Sequence, residues 1–268
     1  MPNQLISRPR LAVCLDDLKL EIREALDMSR RLGFRAVDVS ALRGPISPDE
    51  MSRSAQRHFK KHLDDLGLRL SSLRGPHGGS GYDDPATGDR RLDAMRRIIA
   101  LASEMRVPAV STLLGPVSNT SDSKVAPRIR ETLNLLAEDA DRLGVTVAIE
   151  TSGLTTTALR DLLADINCPS LMACCDTGAM LMQGEDPHRV AELLGGRIGL
   201  TRTRDAVAGS SGAMGHEVAM GEGQLSPPAL LASLAEAGFT GDMVMTRTGG
   251  SSVAQDLIRA RQAFESPL

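Results

Sequence analysis

Apolar and polar positions follow two alternating patterns along this chain. Short unbroken apolar runs, rich in β-branched residues, are typical of strands buried on both faces. Each run is followed by a longer segment with apolar residues three or four positions apart, which predicts an amphipathic helix. The predicted strands are 11–15, 35–40, 69–73, 110–114, 145–151, 171–175, 198–203 and 243–245.

The segments between these runs carry residues that start and stop helices. Ser47-Pro48-Asp49-Glu50 combines an N-cap, a proline in the first turn and a glutamate at the capping-box position, which predicts a helix start. Gly33, Gly67 and Gly144 stand where helices should end before the next strand. The predicted helices run over 16–33, 47–67, 92–105, 124–143, 155–166, 187–194, 226–238 and 253–264.

Eight strand–helix units in succession predict an α/β fold with a parallel sheet. A chain of 268 residues is long for an average domain but normal for an α/β barrel. No composition break or linker divides it. The sequence therefore predicts one (β/α)8 TIM-barrel domain over residues 1–268, in preference to an open doubly wound sheet.

Composition narrows the classes of partner. The net charge of -3 provides no general field for nucleic acid, and no apolar run is long enough for a membrane span or a leader. The four cysteines lie in or near apolar runs, as reduced core thiols do, so a cytoplasmic protein is expected. Only 2% of residues are aromatic, so ligand recognition should rest on charge and hydrogen bonding. A homodimer remains open.

Candidate chemistry gathers at the predicted strand ends, which form the functional face of such a barrel. The fifth and sixth runs end in Glu150 and Asp176, and the loops after the third and seventh contain His77 and His216. Five arginines also fall at strand ends, and guanidinium groups match carboxylates or phosphates bidentately. The alternative is that these arginines are solvated or tie strands together by ion pairs. The expected ligand-binding residues are Arg43, Arg74, His77, Arg202, Arg204, His216, Thr246 and Arg247.

Several segments resemble a known family when they are taken in order. These are Val-Ala-Ile-Glu at 147–150, Cys-Asp-Thr-Gly at 175–178, the segment 197–205, Met-Gly-Glu-Gly-Gln-Leu at 220–225 and Gly-Phe-Thr-Gly at 238–241. Together they resemble the xylose isomerase-like TIM barrels, a superfamily of sugar phosphate isomerases, epimerases and endonuclease IV-like proteins. The resemblance covers about the whole chain. An endonuclease role is disfavoured, because its zinc site needs many histidines.

The resemblance implies a divalent metal held by a Glu after the fifth strand, an Asp after the sixth, a His in the seventh and a Glu after the eighth. Glu150 and Asp176 match the first two, whereas Arg202 and Thr246 stand at the other two positions. Arginine cannot ligate metal, and at ~4 Å it would repel a unit charge by ~4 kcal/mol at an effective dielectric of 20. Mn, Mg or Zn is therefore disfavoured, with Glu150 and Asp176 as weak candidate ligands, and no cofactor is predicted.

Two functional hypotheses follow. In the first, the protein is an isomerase or epimerase, or a related proton-transfer lyase, for a small anionic or polyhydroxylated substrate. Glu150 would be its base, Asp176 the orienting partner, and Arg202 the group that polarises the substrate. In the second, the protein is a catalytically degenerate member that binds a small anion as a sensor or structural protein.

Overall fold

Eight parallel strands close into a barrel in this computed structural model, which describes residues 9–115, 127–209 and 215–265. The barrel order is β1-β10-β7-β6-β5-β4-β3-β2, and a separate antiparallel pair, β8 and β9, follows β7. The predicted TIM-barrel architecture is confirmed. The strands are β1 (Leu11–Cys14), β2 (Ala36–Ser40), β3 (Arg69–Arg74), β4 (Ala109–Thr112), β5 (Thr146–Glu150), β6 (Leu171–Asp176), β7 (Ile198–Thr203), β8 (Asp205–Val207), β9 (His216–Val218) and β10 (Met243–Met245).

Helices cover the outside of the barrel and bury their apolar faces against it. Short 3₁₀ turns occupy Asp16–Leu18, Thr151–Gly153 and Pro187–Arg189. In the described ranges, no helix is both long and apolar enough to cross a membrane. The α-helices are α1 (Ile22–Arg31), α2 (Arg53–Leu66), α3 (Gly88–Met105), α4 (Pro127–Leu143), α5 (Thr156–Ile166), α6 (Thr177–Met182), α7 (Val190–Leu194), α8 (Pro227–Glu236) and α9 (Val253–Glu265).

The barrel interior is built in layers, because alternate residues of each strand point inward. One layer is apolar and includes Ala36, Ala148 and Leu200. The next inward position on the same strands is charged in every case: Asp38, Glu150 and Arg202. The layer nearest the carboxyl ends of the strands is thus a buried set of polar side chains, which we call the charged layer: Asp38, Ser72, Ser111, Glu150 and Arg202.

Helix α2 begins later than the sequence pattern predicts. Ser47 starts a turn in which its carbonyl accepts from Met51 N at 3.0 Å, and the helix begins only at Arg53. Ser52 is the true N-cap, since its side chain accepts from the backbone N–H of Ala55 at 3.3 Å. Two competing cap sequences lie five residues apart, and the later one starts the helix.

Two elements after the sixth and seventh strands were not predicted. Helix α6 follows β6 directly, and the β8–β9 hairpin lies within the segment interpreted as one long loop. The predicted helix over 187–194 is a 3₁₀ turn followed by the short α7. Part of the predicted fourth helix, 124–126, lies outside the described residues.

Candidate functional site

Arg202 lies at the centre of the charged layer. Its side chain comes inward from β7 and is 3% exposed. The Nε donates to Glu150 Oε1 at 2.9 Å, and both terminal nitrogens donate to Asp38 Oδ2 at 3.3 Å. One terminal nitrogen also donates to Ser111 Oγ at 3.0 Å. A single guanidinium therefore ties together strands β2, β4, β5 and β7 inside the barrel.

Asp38 is the second carboxylate of this layer, and the sequence analysis missed it. It is fully buried on β2, where Ser72 Oγ donates to its Oδ1 at 2.6 Å. The sequence did hold a signal, because Asp38 is a carboxylate flanked by apolar residues on both sides within the strand Ala36–Ser40. A charged residue in a strand buried on both faces needs a partner of opposite charge. That partner, Arg202, is 164 residues away along the chain.

Glu150 is buried beneath His77. His77 Nδ1 lies 3.3 Å from Glu150 Oε2, and the side chains are 41% and 0% exposed, respectively. The contact falls short of a hydrogen bond, so Oε2 has no hydrogen-bond partner among the described residues. Burial alone would raise the pKa of Glu150, but Arg202 and His77 outweigh it and lower the pKa to about 2. Glu150 therefore stays ionised under the imidazole.

Asp176 pairs with Arg204 instead of Glu150. The Arg204 Nε and a terminal nitrogen donate to the two Asp176 oxygens at 2.8 and 2.7 Å, a bidentate arrangement. Asp176 Oδ1 also accepts from Ala179 N at 2.9 Å, which caps α6. A side chain at Gly178 would collide with Arg204, since its Cβ would lie 2.6 Å from Arg204 Cγ. This explains why a glycine follows Asp-Thr in that motif.

Glu217, which the sequence analysis also did not identify, contacts two of the arginines predicted to bind ligand. It accepts from Arg204 at 3.0 Å and from Arg247 at 3.1 Å, and its pKa falls because these cations and a hydrogen bond from Thr248 overcome the effect of burial. Arg247 is also paired with Asp256 at 2.9 Å. Neighbouring residues of a strand point to opposite faces. His216, next to Glu217 on β9, is exposed.

The other predicted ligand-binding residues lie at different depths. Arg74 pairs with Asp16 and donates to Cys14 Sγ at 3.4 Å, so it ties β3 to the end of β1. Thr246 is 7% exposed, and its buried Oγ1 has no hydrogen-bond partner in the described part of the chain. Arg43 is exposed and lines a cavity beside His77. Arg43 and His77 are thus the predicted residues that this cavity brings together.

Asp205, at the end of the seventh-strand motif, has a structural role. It is 1% exposed and accepts from the backbone N–H groups of Gly221, Gly223 and Leu225, each at 2.9 Å. A Cβ at position 223 would lie 2.2 Å from an Asp205 oxygen. The Gly-Glu-Gly segment is therefore folded around the Asp205 carboxylate.

The residues at the family's metal position do not fit a divalent cation. Glu150 and Asp176 are each bound by an arginine, and Arg202 places a positive charge between Glu150 and Asp38. Burial raises the pKa of the nearby Cys174 thiol, which is therefore uncharged in this structure. Across the described ranges, no three His, Cys, Asp or Glu side chains converge to hold an ion. That no metal binds remains a prediction.

A second cavity, of about 810 Å³, lies at the opposite end of the barrel. Its lining includes Arg10, Arg69 and Pro108, which precede or begin strands. Functional groups of TIM barrels are found at the carboxyl ends of the strands, and this cavity carries none of the residues described above. The candidate site is therefore the face that holds His77 and the charged layer.

Solved structures share this fold. A xylose isomerase domain protein from Planctomyces limnophilus superposes with a TM-score of 0.78 at 22% identity, covering 95% of this chain and 94% of that one. A D-tagatose 3-epimerase-like protein gives 0.77 at 17% identity, covering 96% and 97%. A xylose isomerase-like TIM barrel protein from Mycobacterium smegmatis, in complex with magnesium, gives 0.73 at 18% identity, covering 97% of both chains.

The sequence itself matches a family model. None of the curated proteins matches it significantly. The model described as xylose isomerase-like TIM barrel matches residues 26–263, which is most of the chain. The match includes the strand ends that hold Glu150, Asp176 and Arg202. The chain belongs to the xylose isomerase-like TIM barrel family.

Proposed function

We propose that this protein is an isomerase or epimerase of a small polyhydroxylated anion, and that it moves the proton with His77 instead of with a metal-dependent base. The observation that carries the proposal is the His77–Glu150 contact of 3.3 Å, with Arg202 on the other oxygen of Glu150. An imidazole oriented by a buried carboxylate is a recurring arrangement for acid–base catalysis.

Exposure separates the roles of these residues. Glu150 has no exposed side-chain surface, so it cannot touch a substrate in this conformation, whereas His77 is 41% exposed. Glu150 then acts as a positioning residue that holds the ring and balances the charge His77 gains with a proton. Arg202 in turn keeps Glu150 ionised. Asp176 is bound to Arg204 and to the start of α6. It thereby stabilises the mouth of the barrel, the end at which the carboxyl ends of the strands meet.

The side chains around Glu150 do not favour metal-dependent chemistry. One structurally similar protein is solved in complex with magnesium. In the present chain a guanidinium lies between the carboxylates of Glu150 and Asp38. No step of the proposed reaction is assigned to a metal. The ligand's identity, the cytoplasmic location and any homodimer stay predictions from the sequence.

The test is exchange of solvent deuterium into a panel of sugars, sugar acids and sugar phosphates, with a chelator present. Wild type should exchange at least one of them, and His77→Gln should slow the exchange roughly a hundred- to ten-thousand-fold. His58→Gln is the matched control, because His58 is an exposed imidazole on α2 outside the candidate site. Full exchange in His77→Gln would refute the role of His77.

A second candidate function is ligand binding without turnover. It is favoured by the pairing of Arg202, Arg204 and Arg247 with carboxylates, which leaves these arginines committed to structure. If wild type exchanges no proton with any member of the panel but is stabilised thermally by one of them, this second function replaces the first.

A further inference from the structure

A cavity of about 510 Å³ opens beside His77, between the loops that follow β2 and β3 and the first turns of α3. We call it the rim cavity. It shares His77 with the proposed proton-transfer site, so a ligand in the cavity lies next to the imidazole. Its charged lining residues are Arg43, Asp49, Arg90, Arg91 and Arg97.

Most of the arginines that line the rim cavity have no carboxylate partner in the described ranges, whereas the arginine inside the barrel is paired. Arg97 pairs with Asp49. Arg43 and Arg90 are exposed, and neither makes an ion pair with any residue in 9–115, 127–209 or 215–265. In the charged layer, by contrast, two carboxylates surround the single cation Arg202. Among the described residues, the rim cavity therefore presents free cationic groups in Arg43 and Arg90.

Arg91 is a fixed donor in the cavity wall. Its terminal nitrogens donate to the carbonyl oxygens of Gly78 at 2.9 Å and Leu113 at 3.1 Å, and its guanidinium lies 5.1 Å from the ring centre of buried Tyr82. These partners are neutral, so they do not cancel its charge. Its Nε is buried and has no hydrogen-bond partner in the described part of the chain. A buried N–H without an acceptor is costly, so the position of Arg91 rests on its other contacts, which hold its charge at the cavity wall.

We infer that the rim cavity binds the oxyanion of the substrate, a carboxylate or a phosphate, and so places the carbon chain against His77. Guanidinium groups suit both oxyanions. The cavity is larger than a single phosphate group, which leaves room for the adjoining carbon chain. This inference deepens the proposed function and rests on it for the identity of the reacting site. It makes the substrate a sugar acid or sugar phosphate, not a neutral sugar.

Calorimetric titration at fixed ionic strength tests the inference with four probes: inorganic phosphate, gluconate, glucose 6-phosphate and glucose. Wild type should bind the anions. Whichever of the phosphate and carboxylate probes binds more tightly identifies the oxyanion that the cavity prefers. Glucose should bind at least tenfold more weakly, because it lacks the charge. Arg43→Ala and Arg90→Ala should each raise Kd roughly tenfold or more for the preferred anion. Arg91→Lys should also weaken binding, since lysine keeps the charge but lacks the planar guanidinium that donates to both wall carbonyls and so holds that charge in a fixed place.

Arg57→Ala is the matched control, because Arg57 is an exposed arginine on α2 that lines the cavity at the other end of the barrel. It should leave Kd unchanged. Equal losses in Arg57→Ala, equal affinity for glucose, or no binding of any anion would each overturn the inference.

The binding readout also separates this inference from the proposed function. Anion binding that depends on Arg43 and Arg90, without deuterium exchange in wild type, sustains the rim cavity and refutes the catalytic proposal. Deuterium exchange into a sugar acid or sugar phosphate that is unaffected by Arg43→Ala and Arg90→Ala sustains the catalytic proposal and refutes the rim cavity.

Discussion

Arg202 and Glu150 form a buried ion pair inside the barrel, with Nε and Oε1 2.9 Å apart and neither side chain more than 3% exposed. Asp38, fully buried, contacts the terminal nitrogens of the same guanidinium. Three charges are therefore held away from water by one another. Removing one partner of such a group leaves the others uncompensated, which is far more costly than losing a surface pair.

Arg202→Met should consequently lower the free energy of unfolding by about 3–5 kcal/mol. The measurement is urea denaturation at neutral pH. Arg57→Ala, which removes an exposed arginine, should change stability by less than about 0.5 kcal/mol. A triple replacement, Asp38→Asn, Glu150→Gln and Arg202→Met, should recover part of the loss because none of these three buried charges remains. A loss below about 1 kcal/mol in Arg202→Met would contradict the burial of this pair.

Glu150 should contribute to the dependence of stability on pH. Its pKa is lowered in the folded protein from 4.5 to about 2, because Arg202 and His77 more than offset the effect of burial. A lowered folded-state pKa stabilises the protein above the unfolded-state pKa, and this stabilisation disappears as the pH falls through the folded-state pKa. The contribution is roughly 3 kcal/mol, complete above about pH 4.5 and lost towards pH 2.

The test compares wild type with Glu150→Gln by chemical denaturation between pH 6 and pH 3. The stability difference between the two proteins should shrink as the pH falls, since protonated glutamate resembles glutamine. Glu192→Gln serves as the control, because Glu192 forms an exposed pair with Arg189. A constant difference between wild type and Glu150→Gln across this range would show that Glu150 has no lowered pKa.

The barrel and its strand ends could be predicted from the sequence, but several partners within the site could not. Glu150 and Arg202 were placed at the mouth because they end or follow apolar runs. Asp38 is conspicuous as a carboxylate in an apolar run, but its pairing with Arg202, 164 residues away, requires the inward-facing register of β2. Glu217 requires the hairpin pairing of β9. The β2–β3 register shifts between Val37 and Asp38, directly at the buried carboxylate.

The predicted arginine pocket also depended on information that the sequence lacks. The alternative prediction is that arginines tie strands together by ion pairs. It fits Arg202 and Arg204, whose carboxylate partners come from other strands. Arg43 instead faces the rim cavity with Arg90 and Arg91, two residues of α3 that carry no motif. Residue type alone does not distinguish a paired arginine from a free one. Burial and the distance to a carboxylate do.

Restoring the family's residues should create a metal site. Val244 of β10 is paired with Arg202 of β7, and both side chains point into the barrel. Thr246 lies two residues after Val244 and therefore also points inward, close to position 202. The double variant Arg202→His and Thr246→Glu should retain Mn²⁺ in roughly stoichiometric amount after dialysis, because it removes the cation and adds two ligands. Metal analysis provides the measurement.

Thr246→Glu alone is the matched control, since it keeps the guanidinium beside Glu150 and should retain no metal. Its new carboxylate would be near Arg202, so failure to bind Mn²⁺ would identify the guanidinium as the obstacle. Stoichiometric metal in wild type would overturn the metal-free interpretation altogether.

Glu217 should stabilise the β8–β9 hairpin against the mouth. It accepts from Arg204, Arg247 and the backbone N–H of Thr248, the last at 2.9 Å. Glu217→Gln removes the charge but leaves Arg204 on Asp176 and Arg247 on Asp256. The expected loss is therefore about 1–3 kcal/mol, smaller than for Arg202→Met.

The loss of stability should be largest in the β8–β9 hairpin, because the ion pairs of Glu217 with Arg204 and Arg247 attach the hairpin to the mouth of the barrel. Hydrogen exchange of the β8–β9 amides should accelerate in Glu217→Gln while the amides of β5 remain protected. Glu222→Gln is the matched control, since its pair with Arg259 is more than half exposed on both sides and contributes at most about 1 kcal/mol. Equal acceleration in both variants would mean that the hairpin does not depend on Glu217.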